Sequence, residues 1–184
     1  MGTDKAMLCF GGKPLITHAL EQFSGFPEIL VSAADAELYA FTGFTVVPDE
    51  SPGMGPIGGF ISVLKSAVSC SVCFRPVDAP FVPKGLHTLL SSACSGKDAA
   101  VSVFNGSPEP LLACLSKTAL PALEKLASEE EYKAAAVFPL LDAVYVDLTA
   151  PEILSAFGDP ADYLVNANDP ETFLKLRSAD TDAP

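Results

Sequence analysis

Apolar positions along this chain switch repeatedly between helical spacing and short unbroken runs. Leu15, Ile16, Ala19, Leu20 and Phe23 recur every three or four residues behind a Gly11-Gly12-Lys13-Pro14 turn, with Pro14 suited to the first helical position and Gly25 to the stop. The run at 29–31 has no alternation, as expected of a strand buried on both faces. A short helix is predicted over 35–41 and a second strand over 45–47, ending at Pro48-Asp49. Glycine and proline dominate 51–59 and lead into a helix carrying Phe60, Ile61, Val63, Leu64 and Ala67 on its buried side. A third strand covers 72–74 and is closed by Pro76, because proline inside a central strand forfeits a ladder bond. Pro83 then starts a helix through Leu86, Leu89 and Leu90.

Strands at 99–103 and 110–115 flank Asn105-Gly106, a strong hairpin signal, with a connection expected to exceed two residues. A helix over 118–127, an acidic turn at Glu129-Glu130-Glu131, a helix over 132–140 and a strand over 144–148 follow. A short strand is predicted at 163–165, and Asp169-Pro170 caps and starts a last helix ahead of a polar tail at 178–184. Strand and helix alternate without an internal repeat, so the fold class is α/β, a Rossmann-like three-layer arrangement with a mostly parallel sheet and an antiparallel excursion.

Composition narrows the picture. With 184 residues and 49% hydrophobic content, the chain suits one domain over 1–177. No run of about 18 apolar residues exists, and a soluble, cytoplasmic protein is expected. A net charge of −12 argues against nucleic acid and against anionic membrane surfaces, so any phosphate ligand must be held by local groups. The five cysteines lie in or beside apolar stretches and read as reduced core thiols; Cys70 and Cys73, three apart at a strand start, point to opposite faces rather than sharing a metal. His18 and His87 have no spaced partner and read as surface or cap residues.

Ligands of open α/β sheets collect at the carboxyl ends of the strands. Here these ends fall at Ser32-Ala33-Ala34, at Asp49 before the glycine loop, and at Asp78, held between Pro76 and Pro80. A single carboxylate beside a triphosphate suits magnesium, which keeps several waters and takes other ligands from phosphate, so Asp78 is the candidate metal ligand. The glycines and prolines of 52–59 let backbone approach a ligand closely at a helix start. Lys5, reached through a small polar turn, is a candidate triphosphate contact. Glu109 could reach the site from the hairpin, but reads as part of a solvated turn.

Six segments in order resemble those of the molybdenum cofactor guanylyltransferases, the nucleotidyltransferases of molybdopterin-guanine dinucleotide biosynthesis. They are Met1-Gly2-Thr3-Asp4-Lys5-Ala6-Met7-Leu8, Gly12-Lys13-Pro14-Leu15, Gly55-Pro56-Ile57-Gly58-Gly59, Val77-Asp78-Ala79-Pro80-Phe81, Pro110-Leu111-Leu112-Ala113 and Asn166-Ala167-Asn168-Asp169-Pro170-Glu171. No single segment is specific, but their order and spacing are. The resemblance implies transfer of GMP from GTP to the phosphate of molybdopterin, releasing pyrophosphate, with Mg2+ as cofactor. It implies that Lys5 neutralises the triphosphate and that Asp78 holds the metal. Gly2, Asp49, Gly55, Pro56 and Gly58 would help hold the nucleotide, and Asn166 and Asn168 would face molybdopterin. Molybdenum-insertion proteins and molybdoenzyme chaperones are the protein partners it implies.

The chain departs from the family pattern in three places. Ala33 and Ala34 stand where an asparagine often contacts nucleotide, and Val77 replaces a cysteine. The resemblance also implies a first strand, a glycine turn and an arginine ahead of Met1. That strand would lie between those of 29–31 and 72–74, so the sheet is expected to carry a slot there and the sequence to be a shortened reading. A molybdopterin cytidylyltransferase and a non-catalytic nucleotide-binding relic remain open as alternatives.

Overall fold

The computed structural model describes residues 4–10, 12–49 and 53–165. A 3-10 turn at Lys5–Met7 leads into a small antiparallel hairpin, β1 (Cys9–Phe10) and β2 (Lys13–Pro14). Helix α1 (Leu15–Gln22) follows with Pro14 as its N-cap, one position earlier than expected. Strands β3 (Leu30–Ala33) and β4 (Thr45–Pro48) run parallel, joined through a 3-10 segment at Glu37–Thr42. Helix α2 (Gly55–Ser66), strand β5 (Ser71–Cys73) and helix α3 (Lys84–Ala93) come next.

Strands β6 (Ala99–Phe104) and β7 (Ser107–Ser116) form a hairpin that pairs up to Phe104 opposite Ser107, so its turn is only two residues, Asn105 and Gly106. Both adopt positive φ, 50° and 76°, as a tight turn between right-twisted strands requires. Further along, Val101 faces Ala113 while Ser102 faces Glu109, so Pro110, Leu111 and Leu112 bulge out of register. Proline has no N–H to give a ladder, which makes position 110 a natural place for pairing to lapse.

Helix α4 (Leu120–Ser128), strand β8 (Ala143–Asp147) and helices α5 (Pro151–Phe157) and α6 (Pro160–Tyr163) complete the described chain. The helix expected over 132–140 is instead two 3-10 turns, Ala134–Ala136 and Phe138–Leu140. Pro139 interrupts that stretch, and an α-helix interior would lose a bond there. No strand forms at 163–165 among the described residues. Asp159 Oδ1 accepts the Ala161 N–H at 2.8 Å and starts α6, whose last residue is Tyr163. The helix expected to start at Asp169-Pro170 lies outside the described residues.

The larger sheet has the order β5-β7-β6-β8. Only β7 runs against its neighbours, so the expected mostly parallel sheet with one antiparallel excursion is what forms. Alternate strand residues feed two cores. Ala99, Val101, Ala113 and Leu115 pack with Phe60, Leu64 and Leu123 under α2 and α4. Ala100, Leu112 and Cys114 pack with Leu86, Leu90 and Ile153 under α3 and α5. Helices therefore cover both faces, giving three layers.

The pair β3-β4 stands apart from this sheet. Among the described residues β3 pairs only with β4, and β5 only with β7. A cavity of about 370 Å³ lies between their facing edges, lined by Val31 of β3, Val72 of β5, Ile16 and Leu20 of α1, and Val63 of α2.

Candidate nucleotide site

Three loops meet at the carboxyl ends of β3, β4 and β5. The first is the turn bearing Lys5. Asp4 caps it, accepting the Ala6 N–H at 3.0 Å on Oδ1 and the Tyr39 hydroxyl at 2.5 Å on Oδ2. Ala6 and Met7 pack with Val31, Ala33, Tyr39 and Val77, which holds the turn against the ends of β3 and the loop beyond β5. Burial, and then the neighbouring Asp4 carboxylate, raise the Tyr39 phenol above its ordinary value, so it remains a donor at physiological pH. Lys5 is left exposed at this end of the sheet.

The second loop joins β4 to α2. Gly53 and Gly55 both have positive φ, 98° and 54°, which only glycine adopts readily. Met54, the N-cap of α2, offers no side-chain bond to the amides of the first turn. A methyl on Gly59 would sit 3.1 Å from Ser32 Oγ and 3.8 Å from Asp49 Oδ1, so glycine there lets the helix press against the ends of β3 and β4. Asp49 Oδ1 is buried with no hydrogen-bond partner among the described residues. A buried carboxylate oxygen without a donor is costly, and a donor group on a ligand would satisfy it.

The third loop, 75–82, carries Asp78 and is folded around Arg75. The guanidinium donates from Nη1 to the Val82 carbonyl at 2.7 Å and from Nη2 to those of Ala79 and Pro80, both at 2.9 Å. Desolvation lowers the Arg75 pKa to about 10, still well above neutrality, so the group remains charged. One half-buried side chain thus shapes the loop that presents the half-buried Asp78.

Lys5, Asp49, Gly55, Pro56 and Asp78 therefore come to one end of the sheet. Gly55 and Pro56 are exposed, whereas Gly58 is buried in the first turns of α2, its carbonyl accepting Ser62 Oγ at 2.9 Å. Gly2, Asn166 and Asn168 lie outside the described residues. Arg75 and Tyr39 were not legible as site residues: each acts through a contact distant in sequence or through a folded loop. Glu109 is no part of a solvated turn. It is a half-buried member of β7 opposite Ser102, and desolvation raises its carboxyl pKa.

Two further expectations are corrected. His87 is fully buried, its ring 4.7 Å from that of Phe23, because it lies on the face of α3 that carries Leu86 and Leu90. Cys9 and Cys70 are exposed, while Cys94 and Cys114 are in the core as expected. Among the described residues no helix is long and apolar enough to cross a membrane, and no three metal-ligating side chains cluster.

A mostly parallel sheet covered by helices on both faces, with a glycine-rich loop at a helix start and two carboxylates at its carboxyl end, is an α/β arrangement of the nucleotide-binding kind, and solved structures share the fold. Molybdopterin-guanine dinucleotide biosynthesis protein A from Archaeoglobus fulgidus superposes with a TM-score of 0.83 at 24% identity, over 99% of this chain and 93% of that one. The 2-C-methyl-D-erythritol 4-phosphate cytidylyltransferase of Thermus thermophilus superposes with a TM-score of 0.71 at 17% identity, over 96% and 94%. The MobA-like NTP transferase domain matches residues 1–144. A molybdenum cofactor guanylyltransferase of Rhizobium meliloti is 32% identical over all of this chain and 86% of its own length. A probable molybdenum cofactor guanylyltransferase of Carboxydothermus hydrogenoformans is 27% identical over 96% and 88%. The chain belongs to the MobA-like nucleotidyltransferases, in the molybdenum cofactor guanylyltransferase family.

Proposed function

We propose that the chain transfers GMP from GTP to the phosphate of molybdopterin, forming the guanine dinucleotide and releasing pyrophosphate. The observation that carries this reading is the unpartnered, buried Asp49 Oδ1 against Gly59 and the open first turn of α2, which provides an acceptor for a ligand donor beside amides suited to an anion. The names of the relatives supply the choice of guanine and of molybdopterin.

In the proposed reaction an oxygen of the molybdopterin phosphate attacks the α-phosphorus of GTP in line. A new P–O bond forms as the bond to the β-phosphate breaks, and pyrophosphate leaves with the electron pair. No general base is required, because the attacking oxygen is already anionic. Positioning and charge neutralisation supply the acceleration. Lys5 neutralises triphosphate charge, α2 amides and Asp49 hold the nucleotide, and Asn166 and Asn168 serve the molybdopterin side. Asp78 is the proposed magnesium ligand. A single carboxylate on a loop stiffened by Arg75 fits an ion that takes most of its ligands from water and phosphate, and the ion would neutralise phosphate oxygens. The free thiols on the surface suit a reducing, cytoplasmic setting.

The test is pyrophosphate release from GTP and from CTP by the purified chain, with magnesium and with or without molybdopterin. Molybdopterin-dependent release from GTP alone is expected. Preference for CTP would move the assignment to the cytidylyl enzymes, and no binding of either nucleotide would overturn it.

A further inference from the structure

Three of the five cysteines share one core cluster. Cys73 of β5, Cys114 of β7 and Cys94 at the end of α3 pack together under α3 and α5, whereas Cys9 and Cys70 are exposed and lie outside that cluster. Cys73 and Cys114 stand directly opposite each other on antiparallel strands. The Phe74 N–H donates to the Ala113 carbonyl at 2.7 Å and, at the other end of β5, the Lys117 N–H donates to the Cys70 carbonyl at 2.8 Å. These bonds flank the opposed pairs Cys73–Cys114 and Ser71–Ser116 rather than joining them, so both pairs are non-hydrogen-bonded positions of the ladder. At such positions the Cα atoms approach to about 4.5 Å, with the opposed side chains on one face of the sheet. A disulfide needs a Cα separation of about 4.4 to 6.8 Å, so the backbone already holds the two residues where a bond can close.

Their surroundings set the two thiols apart. Cys73 is half-buried, lines the cavity beside β3 and donates from its thiol to the His87 carbonyl at 3.4 Å, while Cys114 and Cys94 are buried. The Cys114 S–H faces the Cys73 sulfur and holds the Cys73 thiol below its ordinary range, against the desolvation that raises it. The same contact, with burial, pushes Cys114 up to about 12. Contact with Cys114, and then burial, raise the Cys94 thiol as well. The sulfurs form a row from Cys73 through Cys114 to Cys94 rather than surrounding a point, and among the described residues no three ligating side chains could hold a metal. The more accessible sulfur has the greater thiolate fraction, and an enclosed thiol stands behind it. That is the order in which a nucleophilic and a resolving thiol work.

We infer that Cys73 and Cys114 are an oxidation site at which a hydroperoxide closes a reversible cross-strand disulfide between β5 and β7. The Cys73 thiolate attacks the terminal peroxide oxygen. The O–O bond breaks, and the other oxygen leaves with the electron pair and takes up the proton that Cys73 had released, as water or an alcohol. Cys73 is then a sulfenic acid. Cys114 gives up its proton and attacks the Cys73 sulfur; the S–S bond forms as the S–O bond breaks, and hydroxide leaves to become water with that proton. The two thiols have lost two electrons and the peroxide has gained them. A small dithiol reverses the bond by exchange, so in a reducing setting it stands open at rest and closes only with oxidant. The bond ties β5 to β7 just ahead of Arg75, where the strand leads into the loop of Asp78.

To test this, the purified full chain is treated with hydrogen peroxide, free thiols are blocked in acid, and peptides are mapped by mass spectrometry without reduction. The expected result is a peptide pair joined through Cys73 and Cys114 and lighter by two hydrogens, which forms several-fold faster than Cys94 is oxidised and is lost on adding dithiothreitol. Replacing both exposed thiols, Cys9→Ser with Cys70→Ser, is expected to leave the bond and its rate unchanged. In Cys114→Ala the Cys73 sulfenic acid lacks its ladder partner and is expected to accumulate, trapped by dimedone at several times the parent's level. The inference is overturned if Cys73 and Cys114 stay free while Cys9 and Cys70 are oxidised, if Cys114 joins Cys94 instead, or if the Cys73–Cys114 bond forms only in urea. Equal trapping in the parent and in Cys114→Ala also counts against it. Mapping of the parent needs no substitution, so its result holds even where Cys114→Ala does not fold.

Discussion

Replacing Arg75 by alanine tests whether one side chain builds the loop of Asp78. The guanidinium makes three bonds, to the carbonyls of Val82, Ala79 and Pro80 at 2.7, 2.9 and 2.9 Å, and all three of those residues are buried. Each bond to a charged donor contributes about 1.5–3 kcal/mol, and a buried carbonyl left without a donor costs about 1–3 kcal/mol. Relaxation of the loop toward water and the release of a desolvated cation offset part of that, so a net loss of about 3 kcal/mol is expected. For a chain of this length that lowers the thermal midpoint by roughly 6–12 °C. Arg75→Lys keeps the charge but not the planar fork and should fall between the two. Circular dichroism melts measure the midpoint, and pyrophosphate release titrated with magnesium measures the site. The alanine variant should need more magnesium for half-maximal rate at temperatures where it is fully folded. A midpoint within a degree or two of the parent would refute the claim that Arg75 organises this loop.

Tyr39→Phe removes the hydroxyl bonded to Asp4 and should lower the midpoint by a few degrees while weakening nucleotide binding measured by calorimetry, because the turn bearing Lys5 loses its anchor. Gly85→Ala would set a methyl 2.8 Å from Phe157 Cε1; a loss of about 1–3 kcal/mol in urea unfolding is expected, largely recovered in the double variant with Phe157→Leu. Burial, and then the charge of Arg75, lower the pKa of His87 to about 4. Its ring stays neutral in the native state while the unfolded chain takes up a proton near pH 6.5, so its contribution is complete above pH 6.5 and is lost as pH falls toward 4. Up to about 3 kcal/mol is at stake. His87→Leu should flatten that part of the stability profile, and a profile unchanged by the substitution would contradict the burial argument.

Much of the fold was legible because local chemistry and tertiary context agree. Gly55, Pro56 and the apolar face behind them specify α2, and Asn105-Gly106 specifies a turn between β6 and β7. Where the reading failed, a local preference met a competing signal. Tyr163, Leu164 and Val165 favour a strand, but Asp159-Pro160 caps and starts a helix through Tyr163. Pro151 at the first position of α5 is a signal of the same kind. Asp49 and Asp78 could be placed at strand ends from spacing alone, whereas nothing beside Arg75 or Tyr39 marked them.

The sequence by itself determined the alternation of strand and helix, the order of the motifs and the end of the sheet at which they gather, since these follow from periodicity and turn chemistry over a few residues. Only the tertiary structure decided that Asp49 carries a buried oxygen without a donor, that His87 is enclosed against Phe23, and that three carbonyls converge on Arg75. It also measured the cavity between β3 and β5 and set its walls. Burial and hydrogen-bond satisfaction depend on groups that are tens of residues apart in the chain, and those partners meet only when the layers pack.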